Sequence, residues 1–215
     1  MYVAPYINTI LHSTGDGGWT HEAQPSGDTF GGIWGSGPND VYTFDGYMIH
    51  STGGGSWTPF TISNTEGIMD ICGTSATDVY AVGGTMTLFH KGPSGTWTSQ
   101  TPGWTSALWM SGSSATDLYV ITATQIFHST GNGSWTMQTP PLRSGENMSM
   151  IWALSASAVY VTTYGSVLRS GGDGVWVAQL VNPSDPTLWV SQIWGTSPKN
   201  LYVSTAVGIY HGTAP

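Results

Sequence analysis

Charge is scarce in this chain: Asp, Glu, Lys and Arg make up 7% of 215 residues, against about 25% in an ordinary globular domain. Lys and Arg together number only 4, against 12 Asp plus Glu, for a net charge of -8. A protein that grips phosphate backbones or anionic lipid headgroups needs clustered cations. Nucleic acid and membrane surfaces are therefore not expected partners. No run approaches the roughly 18 apolar residues that a membrane helix needs. The single cysteine, Cys72, excludes an internal disulfide and reads as a small buried hydrophobe. No secretory signal is visible, because Met1 leads directly into Tyr-Val-Ala-Pro-Tyr. That leaves a cytoplasmic protein, export by another route, or the mature or excised part of a longer chain.

Low charge combined with few aromatics would indicate disorder. Here 11 Trp, 10 Tyr and 30 Gly are present, so the chain has what it needs to build a packed, turn-rich fold. Two patterns recur. The first is apolar-apolar-His, a Gly-rich turn, then Trp: Ile10-Leu11-His12 to Trp19, Met48-Ile49-His50 to Trp57, Leu88-Phe89-His90 to Trp97, and Ile126-Phe127-His128 to Trp135. A fifth copy, Val167-Leu168-Arg169 to Trp176, carries Arg in place of His. The tryptophans are spaced by 38, 40, 38 and 41 residues. The second pattern, Ile-Trp-Gly-Ser then Asp-Val-Tyr, starts near Ile33, Ile71, Leu108, Ile151 and Ile193.

Each unit of about 40 residues thus holds four short β-rich runs between Gly, Ser, Asp and Pro turns. They are called A (Ile-Trp), B (Val-Tyr), C (apolar-His) and D (from the Trp onward). No helical periodicity intervenes. Four antiparallel strands per repeat describe a propeller blade. The expectation is an all-β, five-bladed β-propeller spanning residues 1–215 as one domain. In it the N-terminal segment 1–23 completes the last blade with the strand that follows Trp19, and the pattern holds too few strands for six blades. Residues 1–12 and 201–211 match one another closely, and both are candidates for the same B–C position. A monomer is expected rather than a strand-exchanged oligomer.

The C–D turns resemble the Asp-box of sialidase-type propellers. They carry Ser13, Asp16, Gly17 and Trp19, then Ser129, Asn132, Gly133 and Trp135, then Ser170, Asp173, Gly174 and Trp176. In that family the motif is a structural hairpin, so the resemblance implies no catalytic role. The whole repeat looks like the tandem propeller repeats of large bacterial surface or secreted proteins, which implies an extracellular or cell-surface setting. The five-blade layout is similar in architecture to tachylectin-type lectins.

The repeated histidines His12, His50, His90, His128 and His211 are spaced around a ring, so they cannot converge on one ion, and neither metal nor cofactor is expected. A structural role fits instead: Asp40 beside His50, Asp78 beside His90, and Asp117 beside His128, each a cross-strand hydrogen bond. In the fourth repeat Ala158 and Arg169 replace both partners together, and in the fifth Asn200 faces His211. The D–A loops carry the variation that packing does not explain. Counting back from strand A gives Asp28, Glu66 and Glu146 in three repeats and Trp104 and Trp189 in the other two. Flat aromatics stack on sugar rings and carboxylates accept from hydroxyls, so these five residues form the candidate ligand-binding set of a non-catalytic, lectin-like module for a glycan or glycoconjugate. Two alternatives remain open: a protein-interaction or structural propeller, and a glycoside hydrolase using Asp28, Glu66, Glu146 or Asp70 as its pair of carboxylates. An arginine cluster of the sialidase kind is absent, because Arg143 and Arg169 are the only arginines.

Overall fold

Valine, isoleucine and tyrosine recur in runs too short for a helix, and short turns rich in Gly, Ser, Asp and Thr separate most of them, so each forms a strand closed by a tight turn. The computed structural model describes residues 1–4, 9–22, 30–45, 47–62, 67–180 and 188–212. Its elements are all strands, with no helix among the described residues. They fall into two compact units, Met1–Gly103 and Trp104–Pro215.

The first unit holds three antiparallel sheets. β1 (Tyr2–Val3), β2 (Ile10–His12) and β3 (Thr20–Glu22) form a sheet of three. β4 (Gly32–Gly37), β5 (Asp40–Asp45), β6 (Tyr47–Ser51) and β7 (Thr58–Phe60) form a sheet of four. So do β8 (Ile68–Ser75), β9 (Asp78–Gly83), β10 (Leu88–Lys91) and β11 (Trp97–Gln100).

The second unit repeats the plan. β12 (Trp109–Ser114), β13 (Asp117–Ile121), β14 (Ile126–Ser129) and β15 (Thr136–Gln138) form one sheet, and β16 (Met148–Ser155), β17 (Ala158–Thr163), β18 (Ser166–Ser170) and β19 (Trp176–Leu180) the next. β20 (Val190–Ser197), β21 (Asn200–Thr205) and β22 (Gly208–Gly212) form a sheet of three.

The four-stranded sheets run A, B, C, D, while β1–β3 supply B, C and D and β20–β22 supply A, B and C. Among the described residues there are six sheets, where five blades were expected. β3, the strand after Trp19, pairs with β2, with His12 opposite Thr20. The physical reason is local: a short Gly-rich hairpin brings β3 onto β2 at little loop-closure cost.

Within each unit the cores lie between successive sheets. In the first unit, Tyr42, Phe44 and Met48 of one sheet pack on Ile71, Val79, Ala81 and Phe89 of the next. In the second, Tyr119, Ile121 and Ile126 pack on Ile151, Val159, Val161 and Leu168, with Trp176 sealing the cluster. Both faces of the middle strands are covered, which is why β13 and β17 are buried at every position.

The C–D turns are built alike. Ser13, Ser51, Ser129 and Ser170 each accept from the backbone N–H two residues on, at 3.2 Å. At Gly131 and Gly172, φ is +79° and +90°, and a Cβ would collide with the carbonyl oxygens of Ala115 and Ala156, so only glycine fits. Asp16, Asn132 and Asp173 then cap the turn through Oδ1, accepting from Gly18, Ser134 and Val175 at 2.9, 2.9 and 3.0 Å. These side chains serve the hairpin itself.

Candidate functional site

Strand alternation sends one residue outward at each loop that borders a sheet. In the second unit this produces a patch from three segments: Arg143–Glu146 before β16, Tyr164–Gly165 between β17 and β18, and Leu188–Trp189 before β20. Leu188 and Val190 are buried, so Trp189 between them points out and is 53% exposed. Thr163 is fully buried, so Tyr164 points out at 41%. The two backbones are tied: Tyr164 and Trp189 form an antiparallel bridge, and the Gly165 N–H donates to the Leu188 carbonyl at 2.6 Å. The rings stand 5.7 Å apart at 39°. They form a rigid aromatic platform on a scaffold of loops.

Arg143 and Glu146 brace it. The carboxylate accepts from Arg143 Nη2 at 3.0 Å and from the Thr163 hydroxyl at 2.5 Å through Oε1. Its Oε2 accepts from the Arg143 backbone N–H at 2.8 Å and from Nε at 3.3 Å. Arg143 Nη2 also donates to the Tyr164 carbonyl. Burial alone would raise the Glu146 carboxyl, but the hydrogen bonds from Arg143 and Thr163 together outweigh it and hold it below the usual carboxylate range. Glu146 is thus an ionised, saturated strut with no lone pair left over for a ligand.

The other anticipated ligand residues are scattered or inaccessible. Trp104 is 2% exposed, edge-on to Trp135 at 5.2 Å and to Phe127 at 5.7 Å. It is core and presents no face to a sugar, which corrects its reading as a stacking platform. Asp28 and Glu66 lie outside the described residues. Asp70 is buried at 7% and accepts from the Ile71 N–H at 2.8 Å. Among the described residues no three His, Cys, Asp or Glu side chains gather as a metal site would require. The Cys72 thiol is buried, and that burial pushes its pKa well up, so it is not a thiolate nucleophile.

Each predicted Asp–His pair is at hydrogen-bond distance: Asp40–His50 at 2.9 Å, Asp78–His90 at 2.9 Å and Asp117–His128 at 3.0 Å. The residue directly across from each histidine is the tyrosine two positions on, as in Tyr42 opposite His50. The contact is therefore diagonal, and each histidine also stacks on that tyrosine, at 4.1 Å for Tyr42. Ser36, Thr74 and Ser113 hold the far aspartate oxygen at 2.6, 2.5 and 2.5 Å. The hydroxyl meets the aspartate rather than the histidine, so these networks do not activate a nucleophile.

Sequence reasoning missed Tyr164 and the bracing role of Arg143. A signal was there: Tyr164 is the one aromatic at a B–C turn position where the other repeats carry Gly46, Gly84, Ala123 and Ala206.

No family model matches the chain, and no curated protein matches it. Solved structures do. A structure of YCF48 bound to D1 peptide is 15% identical, with a TM-score of 0.72, covering 96% of this chain and 72% of that one. Virginiamycin B lyase from Staphylococcus aureus is 15% identical, with a TM-score of 0.76, covering 96% and 77%. U3-55K is 11% identical, with a TM-score of 0.68, covering 95% and 68%. These are β-propellers, and the chain shares their fold. They include a peptide-bound protein and a lyase, so the fold fixes no activity.

Proposed function

We propose that the chain is a non-catalytic interaction propeller whose ligand surface is the Trp189–Tyr164 platform beside Arg143, and that its partner is a protein. The observation that carries this is the pair of outward-facing aromatic rings fixed by paired backbones. Trp, Tyr and Arg are the residues that dominate protein interfaces, and a pre-ordered platform avoids the entropy of immobilising them on binding. A hydrolase reading is disfavoured because Glu146 is held ionised and fully hydrogen-bonded, whereas a general acid needs a raised pKa and free access to the leaving oxygen.

The glycan reading keeps one observation in its favour, the exposed Trp189 face. It lacks an accepting carboxylate among the described residues there. Trp189→Ala should weaken capture of a protein partner by about tenfold or more, as for an interface anchor. A pulldown from the native source with wild type and variant, repeated in excess mixed monosaccharides and oligosaccharides, checks this. A partner retained equally by Trp189→Ala removes the platform. A partner displaced by sugars returns the function to carbohydrate binding.

A further inference from the structure

Three of the C–D turns share one geometry and differ at one atom of the capping side chain. Asp16, Asn132 and Asp173 each accept through Oδ1 from the N–H two residues on, at 2.9, 2.9 and 3.0 Å. A glycine follows each of them, with φ of +89°, +81° and +80° at Gly17, Gly133 and Gly174, a conformation that favours glycine. Two of these turns present a carboxylate and the third presents an amide. Asn132-Gly133 is the one Asn-Gly pair in the chain.

Asparagine is a thermolabile residue, because the backbone nitrogen of the next residue can attack its Cγ and expel ammonia. The turn at Asn132 favours that attack. Asn132, Gly133 and Ser134 are all exposed, so water enters and ammonia leaves freely. Gly133 has no side chain to shield its nitrogen. Its N–H donates to no group among the described residues, whereas the Gly131 N–H is taken by Ser129 and the Ser134 N–H by Asn132. The bond from Ser134 polarises the Asn132 amide carbonyl and holds the side chain back over its own turn. At Asp16 the same bond, from Gly18, holds the carboxyl below its ordinary pKa, and an ionised carboxylate is a poor electrophile. The two aspartate turns are therefore inert where the asparagine turn reacts.

We propose that Asn132 is a site of spontaneous deamidation. The Gly133 nitrogen gives up its proton and bonds to Asn132 Cγ, the Cγ–Nδ2 bond breaks, and Nδ2 leaves with that proton as ammonia. Water then opens the cyclic imide, at Cγ to give aspartate or at the main-chain carbonyl carbon of residue 132 to give isoaspartate. One water enters, one ammonia leaves, and nothing is oxidised or reduced. Either product adds one negative charge to the chain. The aspartate product fits the turn, because Asp16 and Asp173 already hold the same bond at 2.9 and 3.0 Å. This site uses no residue of the Trp189 platform.

The test incubates the intact protein at neutral and at mildly alkaline pH, folded and in guanidinium chloride, and follows it by peptide mass spectrometry. Trypsin cuts after Lys91 and Arg143, and the fragment 92–143 holds Asn132 as its only asparagine. In the folded protein this fragment should gain one dalton, located at residue 132, and faster at the higher pH because the attacking nitrogen must lose its proton. The folded rate should come within about tenfold of the rate in denaturant, since forming the imide sacrifices no more than the one bond from Ser134. Asn132→Asp should show no gain and should unfold at a urea midpoint no lower than wild type. A fragment that gains mass in denaturant but not in the folded protein overturns the proposal, because the turn then blocks the attack. A gain indifferent to pH overturns the imide route, and a lowered midpoint in Asn132→Asp overturns the fit of the product.

Discussion

The sheets β12–β15 and β16–β19 have the same strand order and the same B–C register, yet their polar interiors differ completely. In the first, Ser113 donates to Asp117, Asp117 bonds His128, and His128 stacks on Tyr119 at 4.4 Å. In the second the same three positions are Leu154, Ala158 and Arg169. Leu154 and Ala158 join an apolar cluster with Val190, Ile193 and Leu201, while Tyr160 keeps its place opposite Arg169. The fold tolerates either solution. The apolar replacement is partial: Arg169 Nε and the Tyr160 hydroxyl stay buried without a hydrogen-bond partner in the second sheet, as the Tyr119 hydroxyl does in the first, and each such group carries a desolvation cost. What both sheets keep is the inter-sheet core.

The largest effect should therefore come from the core. Trp176 is 6% exposed, meets Tyr119 edge-on at 6.5 Å, and donates to Gln138 at 2.8 Å. Trp176→Ala should cost about 3–5 kcal/mol, the range for deleting a large buried aromatic. Urea unfolding at an unchanged m-value checks this. A loss smaller than that of the Asp117 variant below would show that the polar network, not the core, is what the two sheets depend on.

Next in size is the broken network. Asp117→Ala strands the Ser113 hydroxyl and His128, and should cost about 1–3 kcal/mol. The concerted change Ser113→Leu, Asp117→Ala, His128→Arg rebuilds the neighbouring sheet's solution and should stay within about 1 kcal/mol of wild type. If the triple variant is as unstable as the single, the two interiors are not interchangeable.

Acid should separate the sheets further, because the loop before β12 has no carboxylate and the loop before β16 has Glu146. Its folded pKa lies below the ordinary value. Its stabilising contribution is therefore complete above the unfolded value of about 4.3 and is lost as pH falls through the lower folded value. Wild type should exceed Glu146→Gln in stability at neutral pH, and the difference should shrink only in acid. Exchange of the Gly165 amide, bonded to Leu188, reports the local loss. A difference that is constant with pH would refute the ionic strut.

The strand order was legible because its signal is repetitive. Five copies of Ile-Trp, Val-Tyr and apolar-His fix which residues pair, and the loss of Asp and His together at Ala158 and Arg169 revealed a physical link between them. The sheet count was less legible. Residues 1–12 and 201–211 have the same pattern, and pattern alone does not say whether β3 prefers β2 or another partner. The binding surface was least legible. Counting back from strand A found Trp189, but it gave Trp104 equal standing. Exposure depends on the facing residues Phe127 and Trp135, which no count along the chain encodes. Glu146 looked like a free carboxylate until Arg143, three residues earlier, closed on it.

The smallest expected effect tests how far the polar network extends. In β20–β22 the aspartate is Asn200, which accepts from Thr196 through no oxygen but donates to it through Nδ2 at 2.8 Å, while its Oδ1 meets His211 Nε2 at 2.9 Å. The amide thus reproduces the geometry of the aspartate networks with one hydrogen bond reversed. Asn200→Asp turns the Thr196 hydroxyl from acceptor to donor and gives His211 a carboxylate partner. His211 is exposed, so solvent screens the new pair and the gain should stay below about 1 kcal/mol. A larger gain, read from the urea midpoint, would mean that His211 is shielded in solution and that β22 carries a covering partner. No gain, together with a clear loss in Asp117→Ala, would show that burial rather than charge gives the network its strength.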